Sequence, residues 1–166
     1  MNSTAVKICG IKDKDTIRSI RQLPIDYVGF VFASSKRQVS PQQAQELISE
    51  LKAGEGREIK TVSVVVDPSQ EELEELLTTV PLDAVQLHGS EPPQLCRWLR
   101  TEKRVQVIKT FSVSASGGID ADRLDAYQHA VDAVLLDTFD PATVGGSGRT
   151  FNWELIPAGK QWGKKA

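Results

Sequence analysis

The 166-residue sequence contains only two cysteines and two histidines. Neither Cys9 nor Cys96 belongs to a C-x-x-C pair, and no histidine cluster stands beside them. A structural zinc site needs four such ligands, so no metal is expected. A disulfide framework is not expected either, because a chain of this length can form a real core. An excess of one charge is also missing. The 20 Lys and Arg and 22 Asp and Glu leave a formal net charge of −2. That gives no electrostatic footprint for nucleic acid, and only Lys164 and Lys165 form a small basic cluster. No apolar run approaches the roughly 18 residues of a membrane span. The opening "MNSTAVKICGIKDK" is interrupted by Lys7 and lacks the apolar length of a signal peptide. A cytoplasmic protein follows, with neither nucleic acid nor membrane as partner. No G-x-G-x-x-G follows the first apolar run, which argues against a dinucleotide cofactor.

The composition present is that of an ordinary globular chain, 40% hydrophobic and 25% charged. It is read as one domain over residues 1–166. Six short Val- and Ile-rich runs are strand candidates. They are Ala5–Cys9, Tyr27–Phe32, Lys60–Val66, Asp83–His88, Val105–Phe111 and Asp132–Asp137. They mostly lack strict apolar/polar alternation, as expected for strands covered on both faces in a parallel sheet.

Helical patterns separate them. Ser40-Pro41-Gln42-Gln43 places a capping serine, a proline at the first helical position and a glutamine able to reach back. Ala44, Leu47, Ile48 and Leu51 then recur on one face. Ser69-Gln70-Glu71-Glu72 repeats the box ahead of Leu73, Leu76, Leu77 and Val80. Ser90 is expected to open a helix carrying Leu95, Trp98 and Leu99, and Asp13 and Asp120 to cap two more. The result is β-α repeated six times, which either opens into a doubly wound sheet or closes into a barrel. A barrel has eight strands; a seventh would be due where the sequence reaches Ala166, after "NWELIPAG".

The stretch "KICGIKD", Lys7–Asp13, ends an apolar run in cysteine, glycine and charge. A packing cysteine would sit comfortably inside such a run; this one sits at its exit. Residues two apart share a strand face, so Lys7 pairs with Cys9 and Gln86 with His88, while Asp137 ends the sixth strand. In a parallel barrel these residues converge at the carboxyl ends of the strands. Each also has a plainer reading. Cys9 can be a small buried hydrophobe, Asp137 a turn residue, and His88 a partner of local backbone. Cys96 is read as structural and His129 as a surface or packing residue. Ser34–Arg37 can be a solvated loop and Gly145–Arg149 a linker.

Taken together, "KICGI", "GFVFASSKRQVSP", "VQLHG" and "LLDT…GGSGRTFNW" resemble the phosphoribosylanthranilate isomerase family from about Val6 to Trp153. The resemblance implies a (β/α)8 TIM barrel without metal or cofactor. It implies the Amadori rearrangement of N-(5-phosphoribosyl)anthranilate to 1-(2-carboxyphenylamino)-1-deoxyribulose 5-phosphate, a step of tryptophan biosynthesis. The partner is thus a small phosphorylated sugar-anthranilate. Cys9 is implied as general base and Asp137 as general acid. Arg37 faces the anthranilate carboxylate, where a guanidinium fork suits its partner. Gln86 and His88 match mouth positions beside the ligand. Gly145, Gly146 and Gly148 match a mobile loop. Lys7, beside Cys9, is a candidate for favouring the thiolate that base chemistry needs.

The pattern departs from that family in supplying six β-α units of eight. Phosphate usually binds the loops after the last two strands, so no phosphate residues carry over. Open edges on the first and sixth strands would invite self-association. The alternative expectation is an inactive or split fragment that works only with the missing segment. A different sugar-phosphate barrel, an aldolase or epimerase, would need a metal or a Schiff-base lysine, for which Lys7 and Lys109 are the possibilities.

Overall fold

The structure is a computed structural model that describes residues 4–54, 58–113 and 121–138. The chain divides into two compact units, one centred on residues 1–91 and the other on 92–165.

The first unit holds β1 (Lys7–Cys9), α1 (Lys14–Ile20), β2 (Tyr27–Val31), α2 (Pro41–Lys52), β3 (Lys60–Val65), α3 (Gln70–Thr79) and β4 (Ala84–Leu87). Consecutive strands pair in parallel, with Cys9 opposite Gly29, Gly29 opposite Val62 and Val64 opposite Gln86. Register and alternation sort the side chains into two faces. One face carries Val28, Phe30, Thr61, Ser63, Val65, Val85 and Leu87, all buried. It supplies the core together with Ile17, Leu47, Ile48 and Leu73 of the helices. The other face carries Lys7, Cys9, Gly29, Val31, Val62, Val64, Ala84 and Gln86. Strands buried on both sides explain the missing alternation in the sequence.

The helix starts follow their caps. Asp13 accepts from the Thr16 amide at 2.7 Å. Ser69 and Glu72 form the full reciprocal box. At Ser40 only half the expected box forms. Its hydroxyl accepts from the Gln43 amide, but the Gln43 side chain donates to the Lys12 carbonyl at 2.8 Å. A tertiary carbonyl has outcompeted the local one.

The second unit holds α4 (Pro93–Trp98), a π-helical turn at Leu99–Lys103, β5 (Gln106–Val113), α5 (Ala121–Asp125) and β6 (Ala133–Thr138). Ser90 does not open α4. The helix begins after Pro92, with no side-chain cap, and the Ser90 amide donates to Asp67. A proline pair sets the start, because proline fits a first helical turn without needing an N–H partner. Cys96 is fully buried, as read. The His129 carbonyl accepts from Arg100 at 2.9 Å. The expected cap Asp120 lies outside the described residues.

Strands β5 and β6 pair in parallel, with Lys109 opposite Val134, Phe111 opposite Leu136 and Ser112 opposite Asp137. Phe111 meets Tyr127 edge to face at 5.2 Å. Tyr127 follows α5, so the Phe111 side of these strands is the helix side. Lys109 shares it: its Nζ donates to the Thr110 carbonyl and lies 5.4 Å from the Phe111 ring centroid. Asp137 leaves on the opposite side, with Thr110 and Ser112.

Candidate active site

Lys7, Cys9, Gln86 and His88 form one connected group at the carboxyl-end side of the first unit. Lys7 Nζ donates to Gln86 Oε1. Gln86 Nε2 lies 3.2 Å from His88 Nδ1. Lys7 and Cys9 stand on the same face of β1, close enough for the Cys9 side chain to act on the Lys7 ammonium. Lys7 is on β1 and Gln86 on β4, three strand spacings apart, or about 14 Å along a flat sheet. Side chains leave a sheet roughly perpendicular to it, so they could not meet across a flat one. Their contact requires this face to be concave.

Burial holds the Lys7 ammonium below the ordinary lysine value of 10.5, outweighing the charge and hydrogen bond of Cys9, which push upward. The folded state therefore binds fewer protons than the unfolded state between the lowered value and 10.5. Stability rises with pH across that window, and below it the cost of burying the charge is fully present. Lys7→Met is expected to abolish this alkaline rise. Urea midpoints of both proteins across the range check it; equal slopes would contradict the burial argument.

Two glycines that the sequence reading did not single out shape the surroundings. At Gly29, opposite Cys9, a Cβ would stand 2.7 Å from Cys9 Sγ and 3.1 Å from Lys7 Cε. Gly10 has φ +87°, open to glycine and rare for other residues. A Cβ there would lie 2.6 Å from Arg37 Cδ, so the arginine stem crosses the backbone next to Cys9. Arg37 is otherwise exposed, on the loop between β2 and α2, and its amide donates to Ser35 Oγ. A glycine inside the strand pattern "YVGFVF" was the available signal, since it marks a close approach. Gly29→Ala should displace the thiol and cost about 1–3 kcal/mol of stability. Thiol alkylation reads out Cys9, because Cys96 is buried; an unchanged rate would oppose this packing role.

Glu91 was missed as well. It is buried and accepts the Gly89 amide at 2.9 and 3.1 Å and the Asp67 amide at 3.0 Å. Asp67, at φ +47°, accepts the Ser90 amide at 2.6 Å. Two carboxylates thereby tie the exits of β3 and β4 together, directly after His88. The charged residues involved lie in loops, where no periodicity marks them.

Asp137 belongs to the second unit, near the end of β6. Gly145, Gly146 and Gly148 lie outside the described residues. Among the described residues no group of three or more His, Cys, Asp or Glu could hold a metal ion, and no helix is long and apolar enough to cross a membrane. Lys109, considered as a Schiff-base lysine, is on the helix side, buried against Phe111.

Parallel strands alternating with helices, with polar side chains gathered where the strands end, define an enzyme of the (β/α)8 barrel class. The family model of N-(5'-phosphoribosyl)anthranilate (PRA) isomerase matches residues 6–165, and the chain belongs to that family. The N-(5'-phosphoribosyl)anthranilate isomerase of Brevibacillus brevis is 44% identical over 156 residues, covering 93% of this chain and 68% of the relative. The crystal structure of phosphoribosyl anthranilate isomerase from Thermotoga maritima superposes with a TM-score of 0.76 at 38% identity, covering 92% of this chain and 70% of that one. A phosphoribosyl anthranilate isomerase in complex with reduced 1-(o-carboxyphenylamino)-1-deoxyribulose 5-phosphate gives a TM-score of 0.66 at 35% identity, over 83% of this chain and 66% of that one. The chain thus spans about two thirds of the length of these relatives.

Proposed function

We propose that this chain carries the isomerisation of N-(5'-phosphoribosyl)anthranilate to its aminoketose in tryptophan biosynthesis, as one barrel domain in the cytoplasm. The observation supporting it most is the joined Lys7–Cys9 and Gln86–His88 group, with Gly29 leaving room for the sulfur, in a member of that family. Asp137 gives a proton to the ribose ring oxygen as the ring C–O bond breaks, and the anilino nitrogen lone pair forms a C=N bond. Cys9 then takes the proton from the sugar's second carbon. That C–H pair becomes a C=C bond, the C=N pair returns to nitrogen, and the enolamine tautomerises to the ketone. Arg37 receives the anthranilate carboxylate. No metal or cofactor is required by these steps.

A second element of this reading follows from the general layout of such barrels: phosphate anchoring and closure belong to the last two β-α units, and strand edges that those units do not cover promote self-association. The experiment joins this chain to the C-terminal third of the Brevibacillus protein and follows product by chromatography. Conversion in the joined protein is expected, well above that of the 166-residue polypeptide by itself. A well-folded joined protein with no turnover would overturn the assignment.

A further inference from the structure

The polar group on the concave face has a direction built into it. An ammonium has three donors and no acceptor. Lys7 Nζ therefore fixes which end of the Gln86 amide faces it: the oxygen. The amide nitrogen is then left facing His88 Nδ1, at 3.2 Å. An amide NH2 only donates, so the ring nitrogen opposite must accept. A neutral imidazole whose Nδ1 accepts carries its hydrogen on Nε2. While Lys7 is protonated its end of the relay can only donate, and the roles of the amide and the ring follow from it.

We propose that Lys7, acting through Gln86, holds the His88 proton on Nε2, so that His88 serves as a hydrogen-bond donor of fixed direction at the mouth. Lys7 and Gln86 are then positioning residues. One lysine touches both halves of the group: it shares a strand face with Cys9 and orients the amide on β4. The glutamine could not be replaced by glutamate without reversing the relay. A carboxylate accepts from Lys7 equally well, but its second oxygen would then require a hydrogen on Nδ1. This inference rests on the isomerase reading only for which substrate oxygen receives the Nε2 hydrogen. The tautomer stands apart from that reading.

The chain has two histidines, so histidine-selective 15N labelling gives two ring patterns, and His129→Gln assigns them. The experiment uses the 166-residue chain at a pH where the rings are neutral. His88 is expected to show a protonated Nε2 and a bare Nδ1. Gln86→Glu is expected to move the hydrogen to Nδ1, a signature that loss of packing would not produce. A protonated Nδ1 in the unsubstituted chain would overturn the proposal, and that arm decides even if the variant fails to fold. A folded Gln86→Glu protein that keeps its hydrogen on Nε2 would overturn it too. Neither measurement needs substrate, so failure here is distinct from failure of the isomerase assignment.

Discussion

Cys9→Ala should lower turnover about 100- to 10,000-fold, the range for losing a general base, while leaving the fold intact. The substitution removes a single heavy atom from a partly exposed site at a strand exit, where Gly29 already leaves space around the sulfur. Little packing is lost. Lys7 keeps its bond to Gln86, so the half-buried ammonium is not stranded. What disappears is the group that takes a proton from carbon, and a methyl cannot replace it. Cys96→Ala is the contrast: that side chain is fully buried on a helix, so stability should fall while the rate per folded molecule stays. Turnover of the joined barrel and thermal melts of both variants make the comparison. Near-normal turnover of Cys9→Ala would end its assignment as base.

The fold was legible because its signals are periodic and local. Each of the six apolar runs is a strand, with ends within about two residues of those read from the sequence. The box at Ser69 is a contact between residues three apart, and it forms in full. The sequence reading failed where a distant partner decided the outcome. Gln43 was drawn to Lys12, and Ser90 to Asp67. The pairing of Lys7 with Cys9 and of Gln86 with His88 on shared faces followed from a period of two. The link between the pairs did not, because it depends on sheet curvature, which no single strand encodes. Glycine roles were hidden for the same reason: Gly10 and Gly29 matter through the atoms that Arg37 and Cys9 place against them.

Asp137→Asn should lower kcat by about 100- to 10,000-fold with KM little changed. Opening the sugar expels its ring oxygen, which leaves poorly as an alkoxide and well as a hydroxyl. The asparagine amide keeps the size of the carboxyl and can donate a hydrogen bond, but it cannot surrender a proton at working pH. Binding groups are untouched, so the loss should fall on the chemical step. An interaction made only in the transition state lowers kcat and kcat/KM together. The strand geometry adds a control. Asp137 sits opposite Ser112, on the side away from Phe111 and Tyr127, whereas Lys109 is buried on the helix side. Lys109→Met should therefore leave kcat near its starting value. Strong activity in Asp137→Asn would mean that the proton comes from another residue. A comparable loss of kcat in Lys109→Met instead would mean that the chemistry lies on the helix side of β5 and β6, which is the side the register assigns to packing.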